Sequence, residues 1–195
     1  MAEIPTRLEA LALMHEYTRS ESLRRHMYAV EAAMRAYAVK YDEDVERWGL
    51  AGLIHDFDYE RWPNDAHSPT EEHPSAGVGI LREKGWPEDV LDAVMAHADY
   101  TGVPATTRMA KALRAVDELA GFITACALVR PTRISDLSSK SVKKKLKDRA
   151  FAAAVSREDI REGQEALGED LTEHIDFVVA AMRGIADELG LQSHA

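Results

Sequence analysis

Apolar residues recur along this chain at helical spacing. Leu23, Met27, Val30, Met34 and Tyr37 step by 4, 3, 4 and 3, which lays them down one face of a helix. A second helix is predicted over 45–56. Segment 57–73 collects Asp, Pro, Asn, Ser and a Trp-Pro pair and reads as irregular. Pro74 stands where the first residue of a third helix belongs, and Gly85 ends that helix. Pro87 opens a fourth helix that reaches about Ala98. Residues 100–103 break the pattern. Pro104 starts a long fifth helix through about Val129, and Pro131 stops it. Two more helices are predicted over 141–154 and 175–189, joined by a polar segment with Gly163 and Gly168. No stretch alternates apolar and polar residues over a strand length with hairpin punctuation. The pattern predicts an all-α chain in one domain, 1–195. Its helical core spans about 20–130, and a helical cap or extension spans about 131–195.

Composition narrows the classes. A chain of 195 residues suits one domain, and 46% hydrophobic content excludes general disorder. Lys plus Arg number 24 and Asp plus Glu 34, a formal charge of −10. Such a chain repels phosphate backbones, so nucleic acid is not an expected partner. One cysteine, Cys126, excludes an intrachain disulfide. Residues 1–10 lack a basic-then-apolar signal pattern. The longest apolar run, Leu119–Val129, is too short to span a bilayer. No membrane association and a reducing cytoplasmic location are therefore expected.

The chemistry concentrates in a few polar residues set among small and apolar ones. His26 lies on the first striped helix. His55 and Asp56 close the second, in WGLAGLIHDFDY. His73 precedes Pro74 in EEHP, His97 closes the fourth helix in VLDAVMAHADY, and Asp117 sits mid-helix in ALRAVDELAGF. A neutral polar group buried without a partner costs roughly 2–7 kcal/mol, and a charge costs more. Mutual hydrogen bonds are one way to satisfy these groups, and a shared metal ion is the other. Imidazole and carboxylate suit Zn²⁺, Mn²⁺ or Fe²⁺. Adjacent residues inside a helix diverge by about 100°, but at a helix end both can turn toward one ion.

The order His…His-Asp…His…His…Asp on successive helices resembles the HD superfamily of metal-dependent phosphohydrolases, over roughly residues 20–130. The motifs HDFDY, EEHPSAG and AHADY carry the likeness. The resemblance implies an HD-domain helical bundle with one or two divalent metal ions (Mn, Fe, Zn, Ni, Co or Mg). By matching position it implies His26, His55, Asp56 and Asp117 as ligands to a first ion. His73 and His97 take the places of ligands to a second, with Asp56 bridging both. Cyclic-dinucleotide phosphodiesterases of the superfamily carry a lysine soon after the His-Asp pair and a Gly-Tyr-Pro signature. Here Phe57-Asp58-Tyr59 follows and no Gly-Tyr-Pro occurs, so that substrate is not expected.

The expected partner is a small anionic phosphorylated substrate, a phosphate ester or nucleotide, attacked by a metal-activated hydroxide with Asp56 in the catalytic set. Asp58 and Glu72, close in sequence to ligands, are candidates to orient water or protonate a leaving group. Asp99 is a candidate to hold an imidazole. Arg114, three residues before Asp117, is a candidate to reach the site mouth. Lys140, Lys143, Lys144, Lys145 and Lys147 form the one dense basic cluster. They read as a solvated helix face. The alternative is a cap over the site in which Lys143, Lys144 and Lys147 grip phosphate. His15, His67, His174 and His194 have polar surroundings and read as surface residues. Two other functions are compatible with the residues: a di-iron oxygenase on the same ligands, and a non-catalytic sensor for a nucleotide or a partner.

Overall fold

The computed structural model describes residues 4–193. Among them are helices and turns and no strand. The first helix, α1 (Arg7–Tyr17), precedes the pattern that opened the sequence reading. Its start is nonetheless written in Thr-Arg-Leu-Glu, a capping box: the Thr6 side chain accepts from the Glu9 amide and the Glu9 carboxylate accepts from the Thr6 amide. Two 21-residue helices form the centre, α2 (Glu21–Tyr41) and, later, α6 (Arg108–Leu128). On α2 the predicted stripe points inward, with Met27, Val30, Met34 and Tyr37 fully buried. Each such side chain contributes about 1.5–3 kcal/mol by leaving water.

Between the two long helices lie α3 (Val45–Ile54), α4 (Ser75–Glu83) and α5 (Glu88–Ala96). Asp44 caps α3 by accepting from the Arg47 amide, and the helix stops one residue before His55. The helix predicted to reach Asp56 ends at Ile54, residues 55–61 are turns, and the stretch from Phe57 is irregular as its composition predicts. Pro74 caps α4 rather than standing inside it. A single 3₁₀ turn, Asp99–Thr101, fills the predicted break. The long helix α6 begins at Arg108 and not at Pro104, because the Thr107 side chain accepts from the Ala110 amide and sets the start there.

The C-terminal third departs most from the sequence reading. The helix α7 (Ser139–Leu146) is shorter than 141–154. The turns after it, through Val155, are gathered by Arg157, whose guanidinium donates to the carbonyls of Asp148, Phe151, Ala152 and Val155 and lies over the Phe122 ring. The supposed polar joint is a helix, α8 (Arg157–Leu167), packed on α6. Gly163 permits that approach: a Cβ there would stand 2.8 Å from the Ala115 Cα. The last stretch is two helices, α9 (Leu171–Arg183) and α10 (Ala186–Leu189), and α9 packs on α2 and α6. His174, read as a surface residue, is fully buried. One ring nitrogen meets the Tyr37 hydroxyl at 2.5 Å and the other donates to the Ala115 carbonyl at 2.9 Å. Polar neighbours in sequence said nothing of this, since its partners lie on α2 and α6. His15 is exposed and contacts the Tyr28 hydroxyl, and His194 lies outside the described residues. No helix among the described residues is long and apolar enough to cross a membrane.

Close packing at Gly163 yields a stability prediction. Gly163→Leu should push α8 off α6 and destabilise the fold by about 1–3 kcal/mol. In a domain of this size that lowers the melting temperature by about 2–4 °C per kcal/mol. A melting temperature equal to the parent's would contradict the contact.

Candidate metal centre

Six side chains from five parts of the chain converge where α2, α6 and the ends of α3 and α5 meet. His26 stands on the second turn of α2 and Asp117 near the middle of α6. His55 and Asp56 follow α3, where the chain turns out of the helix and frees both side chains to face the same point. His73 precedes α4, and His97 ends α5. His26 Nε2 lies 2.9 Å from Asp117 Oδ1 and 3.7 Å from Asp56 Oδ2. His55 Nε2 lies 3.4 Å from Asp117 and 3.5 Å from Asp56. On the other side of Asp56, His73 Nε2 is 3.2 Å and His97 Nε2 3.7 Å from its Oδ1. Two ligand groups result, one of His26, His55, Asp56 and Asp117 and one of Asp56, His73 and His97.

The far side of three of these rings is already committed. His55 Nδ1 donates to the Gly52 carbonyl at 2.8 Å, His97 Nδ1 to the Val94 carbonyl, and His73 Nδ1 to Asp58 Oδ1 at 2.7 Å. A carbonyl or carboxylate only accepts, so each Nδ1 carries the proton, and in the neutral ring Nε2 presents a lone pair. His55 Nε2 is buried and has no hydrogen-bond partner. His73 Nε2 and His97 Nε2 face each other at 3.2 Å. Lone pairs aimed at each other and at carboxylates repel unless a cation stands among them. Apart from the pair His26 and Asp117, mutual hydrogen bonds therefore do not satisfy the cluster, and this donor set fits divalent metal ions.

Electrostatics in the metal-free protein carry the same message. Burial opposes a charged His55, but the carboxylates of Asp56 and Asp117 outweigh it and raise the ring to about 9. A proton then does part of what a cation would do. Burial and the neighbouring His73 push His97 down to about 4. Burial works against the Asp117 carboxylate too, yet the hydrogen bond from His26 and the nearby His55 ring hold it well below the usual range.

Above the cluster opens a cavity of about 580 Å³. Arg114 lines it, as the sequence reading expected, but its guanidinium is held by Asp99 at 2.5 Å and Glu162 at 3.2 Å. Asp99 therefore engages Arg114 and not an imidazole. Asp58 is not placed for proton transfer in the cavity: it is buried behind His73 and accepts the Gly77 amide with its second oxygen at 2.7 Å. Gly77 makes room for it, since a Cβ there would sit 2.6 Å from the Asp58 carboxyl carbon. Glu72 is also spoken for, its carboxylate accepting from the amides of Ala66 and Ser68. Among the carboxyls that do line the cavity is Glu118, which burial and the adjacent Asp117 raise to about 7.

None of Lys143, Lys144 and Lys147 lines this cavity. Lys143 donates to Thr172, and Lys144 lines a separate cavity. The basic cap has no counterpart here, because α7 packs at the far end of α6. His67 is exposed, as read, but its ring stacks on Tyr100 at the cavity wall. Tyr59 and Tyr100 stood inside the motifs HDFDY and HADY, where their three-residue offset from Asp56 and His97 was the available signal. Asp159 had none, because it arrives on α8.

His55 and His97, at opposite ends of the shifts among the histidines, give a pH profile for metal-free protein. His55, raised from 6.5 to about 9, contributes stability that is full below 6.5 and is lost as pH rises through about 9. His97, lowered from 6.5 to about 4, costs stability as pH falls through that interval, because only the unfolded chain takes up the proton. The melting temperature of chelator-treated protein should therefore peak near pH 6.5, with His55→Gln flattening the alkaline limb. A profile that rises from pH 6.5 to 9 would contradict this arrangement.

Comparison with known proteins agrees with the geometry. The HD domain family matches residues 23–122, a span that holds all six converging side chains. No curated protein and no solved structure matches the chain. With the match covering more than half of its length, the chain belongs to the HD-domain family.

Proposed function

We propose that the protein is a metal-dependent phosphohydrolase acting on a small phosphate ester. The observation that carries this reading is the double membership of Asp56, which shares one ligand group with His26, His55 and Asp117 and another with His73 and His97. These residues would hold two divalent cations, with Asp56 common to both. Such ions supply a Lewis acid for phosphoryl oxygens and make water a usable nucleophile at neutral pH.

The remaining tasks fall to the chain's own groups. The carbonyls of Gly52 and Val94 and the carboxylate of Asp58 fix three imidazoles in the tautomer that leaves Nε2 free. Tyr100 donates to the His73 carbonyl at 2.6 Å and so ties the cavity wall to a ligand's backbone. The rings of Tyr59, Tyr100 and His67 exclude water from one side and offer flat surface to the non-reacting part of a substrate. Arg114 is the one Arg or Lys among the lining residues, and it is placed to receive a phosphoryl oxygen. Asp99, Glu118 and Asp159 line the same cavity and oppose a strongly charged polyphosphate. A monoester of small size is the substrate this balance favours, and the cavity volume admits it.

Metal stoichiometry tests the reading. Asp56→Ala should lose both metal equivalents and all hydrolysis, whereas His73→Ala and His97→Ala should each lose one equivalent and keep the other. Elemental analysis of protein purified without chelator or nickel, followed by a phosphoester panel, measures this. Full occupancy in Asp56→Ala, or a single equivalent in saturated parent protein, would overturn the two-ion assignment.

Asp58→Asn separates support from ligation. It should weaken metal binding at the His73 group by about 10–100-fold and lower activity in parallel. The His26 group should keep its affinity. Titration of the metal-free variant with Mn²⁺ or Zn²⁺ resolves the two groups, and equal weakening of both would contradict the role given to Asp58.

A further inference from the structure

The basic cluster of α7, unused by the metal centre, borders a cavity of its own. We propose that this cavity, between the C-terminal end of α6 and α7, binds a phosphate group of a soluble ligand. It has a volume of about 370 Å³ and is lined by Arg130, Ser141, Lys144 and Lys145, with Cys126 and Asp148 among its other walls. None of these residues lines the cavity over the metal centre. Cys126 and Arg130 follow Asp117 by nine and thirteen residues, a separation of roughly 14–20 Å at the rise of a helix. The proposal stands apart from the assignment of the metal centre and uses none of its ligands.

Three observations carry it. First, the sign of the lining is opposite to that of the chain: three cationic side chains and one carboxylate, in a protein of formal charge −10. Second, the cations are under-used. None of the five lysines between 140 and 147 forms an ion pair among the described residues. Lys143 is turned to the Thr172 hydroxyl, and Lys145 lies 4.3 Å over the Phe151 ring. Lys144 is exposed at the cavity edge. Third, Arg130 lines the cavity and holds Asp136 with one terminal nitrogen at 2.8 Å, while its other terminal nitrogen makes no ion pair among the described residues. A planar guanidinium is the side chain best shaped for phosphate oxygens.

The groups that oppose an anion are weak. Asp148 is turned to its own backbone, one oxygen accepting from the amides of Ala150 and Phe151 at 3.2 and 3.3 Å. Burial pushes the Cys126 thiol up to about 11, so it brings no charge. Ser141, on the first turn of α7, adds a hydroxyl beside the lysines. The volume accepts a phosphate or pyrophosphate group with a small organic remainder.

Inorganic pyrophosphate is the probe. The protein is stripped of metal by chelation and desalted, which removes any metal ions from the other centre, and binding is followed by titration calorimetry. The expected result is saturable binding of one equivalent, weakened about tenfold or more in Lys144→Gln and in Arg130→Gln, the loss of one charge-assisted contact each. Arg130→Lys should recover part of it. Lys144 is exposed, so Lys144→Gln tests the site even if Arg130 variants fold poorly. Lys147→Gln, at the C-cap of α7 but outside the cavity, should bind as the parent does. Absence of saturable binding at millimolar pyrophosphate would overturn the proposal. So would a loss in Lys147→Gln equal to that in Lys144→Gln, which would mark diffuse attraction to a basic helix.

Discussion

Two carboxylates, Asp56 and Asp117, sit among four imidazoles of which His26 alone is hydrogen-bonded to them, through Asp117, and this arrangement constrains everything around it. Anions placed out of water need a counter-charge or several good donors. The Nδ1–H groups of His55, His73 and His97 are already engaged as donors to the Gly52 carbonyl, the Asp58 carboxylate and the Val94 carbonyl. What remains is a concave set of lone pairs and carboxylate oxygens. Such a set is stable only with positive charge inside it, whether a proton on His55 or a metal ion among the six. The surrounding helices keep these groups close against their mutual repulsion.

That burden falls on α2 and α6. Both are long, and both carry a ligand away from their ends, where fraying does not reach. The packing behind them is dense and apolar, from Met27 and Met34 on one to Leu113 and Leu119 on the other. Residues beyond the family match reinforce the same helix. Gly163 lets α8 approach the backbone at Ala115, and His174 of α9 donates to the carbonyl of that same residue. Ala115 lies two positions before Asp117, so the C-terminal helices brace the turn of α6 that presents the carboxylate.

Much of the fold and most of the converging set were legible in the sequence, for local reasons. Helical periodicity marks α2, α3, α5 and α6, and the His-Asp pair followed by HP and HADY marks the cluster. What stayed hidden depends on distant partners. Asp58 looked like a reactive carboxylate because it lies two residues from Asp56, yet it faces away from the cavity and holds His73. Glu72 adjoins His73 and serves a loop instead. His174 looked polar from its neighbours and is buried by Tyr37 and Ala115. The α8 helix was missed because its inner face is narrow and includes a glycine, which reads as a break in isolation and as a close contact once α6 is in place.

The cavity wall has a different origin from its floor. Its floor is built within residues 23–122, whereas Asp159 and the Glu162 carboxylate that grips Arg114 arrive on α8. Substitutions along α8 thus reshape the entrance while leaving the six converging side chains in place. The shape and charge of the entrance can drift independently of the six converging side chains beneath it, because the two are written in separate stretches of the chain.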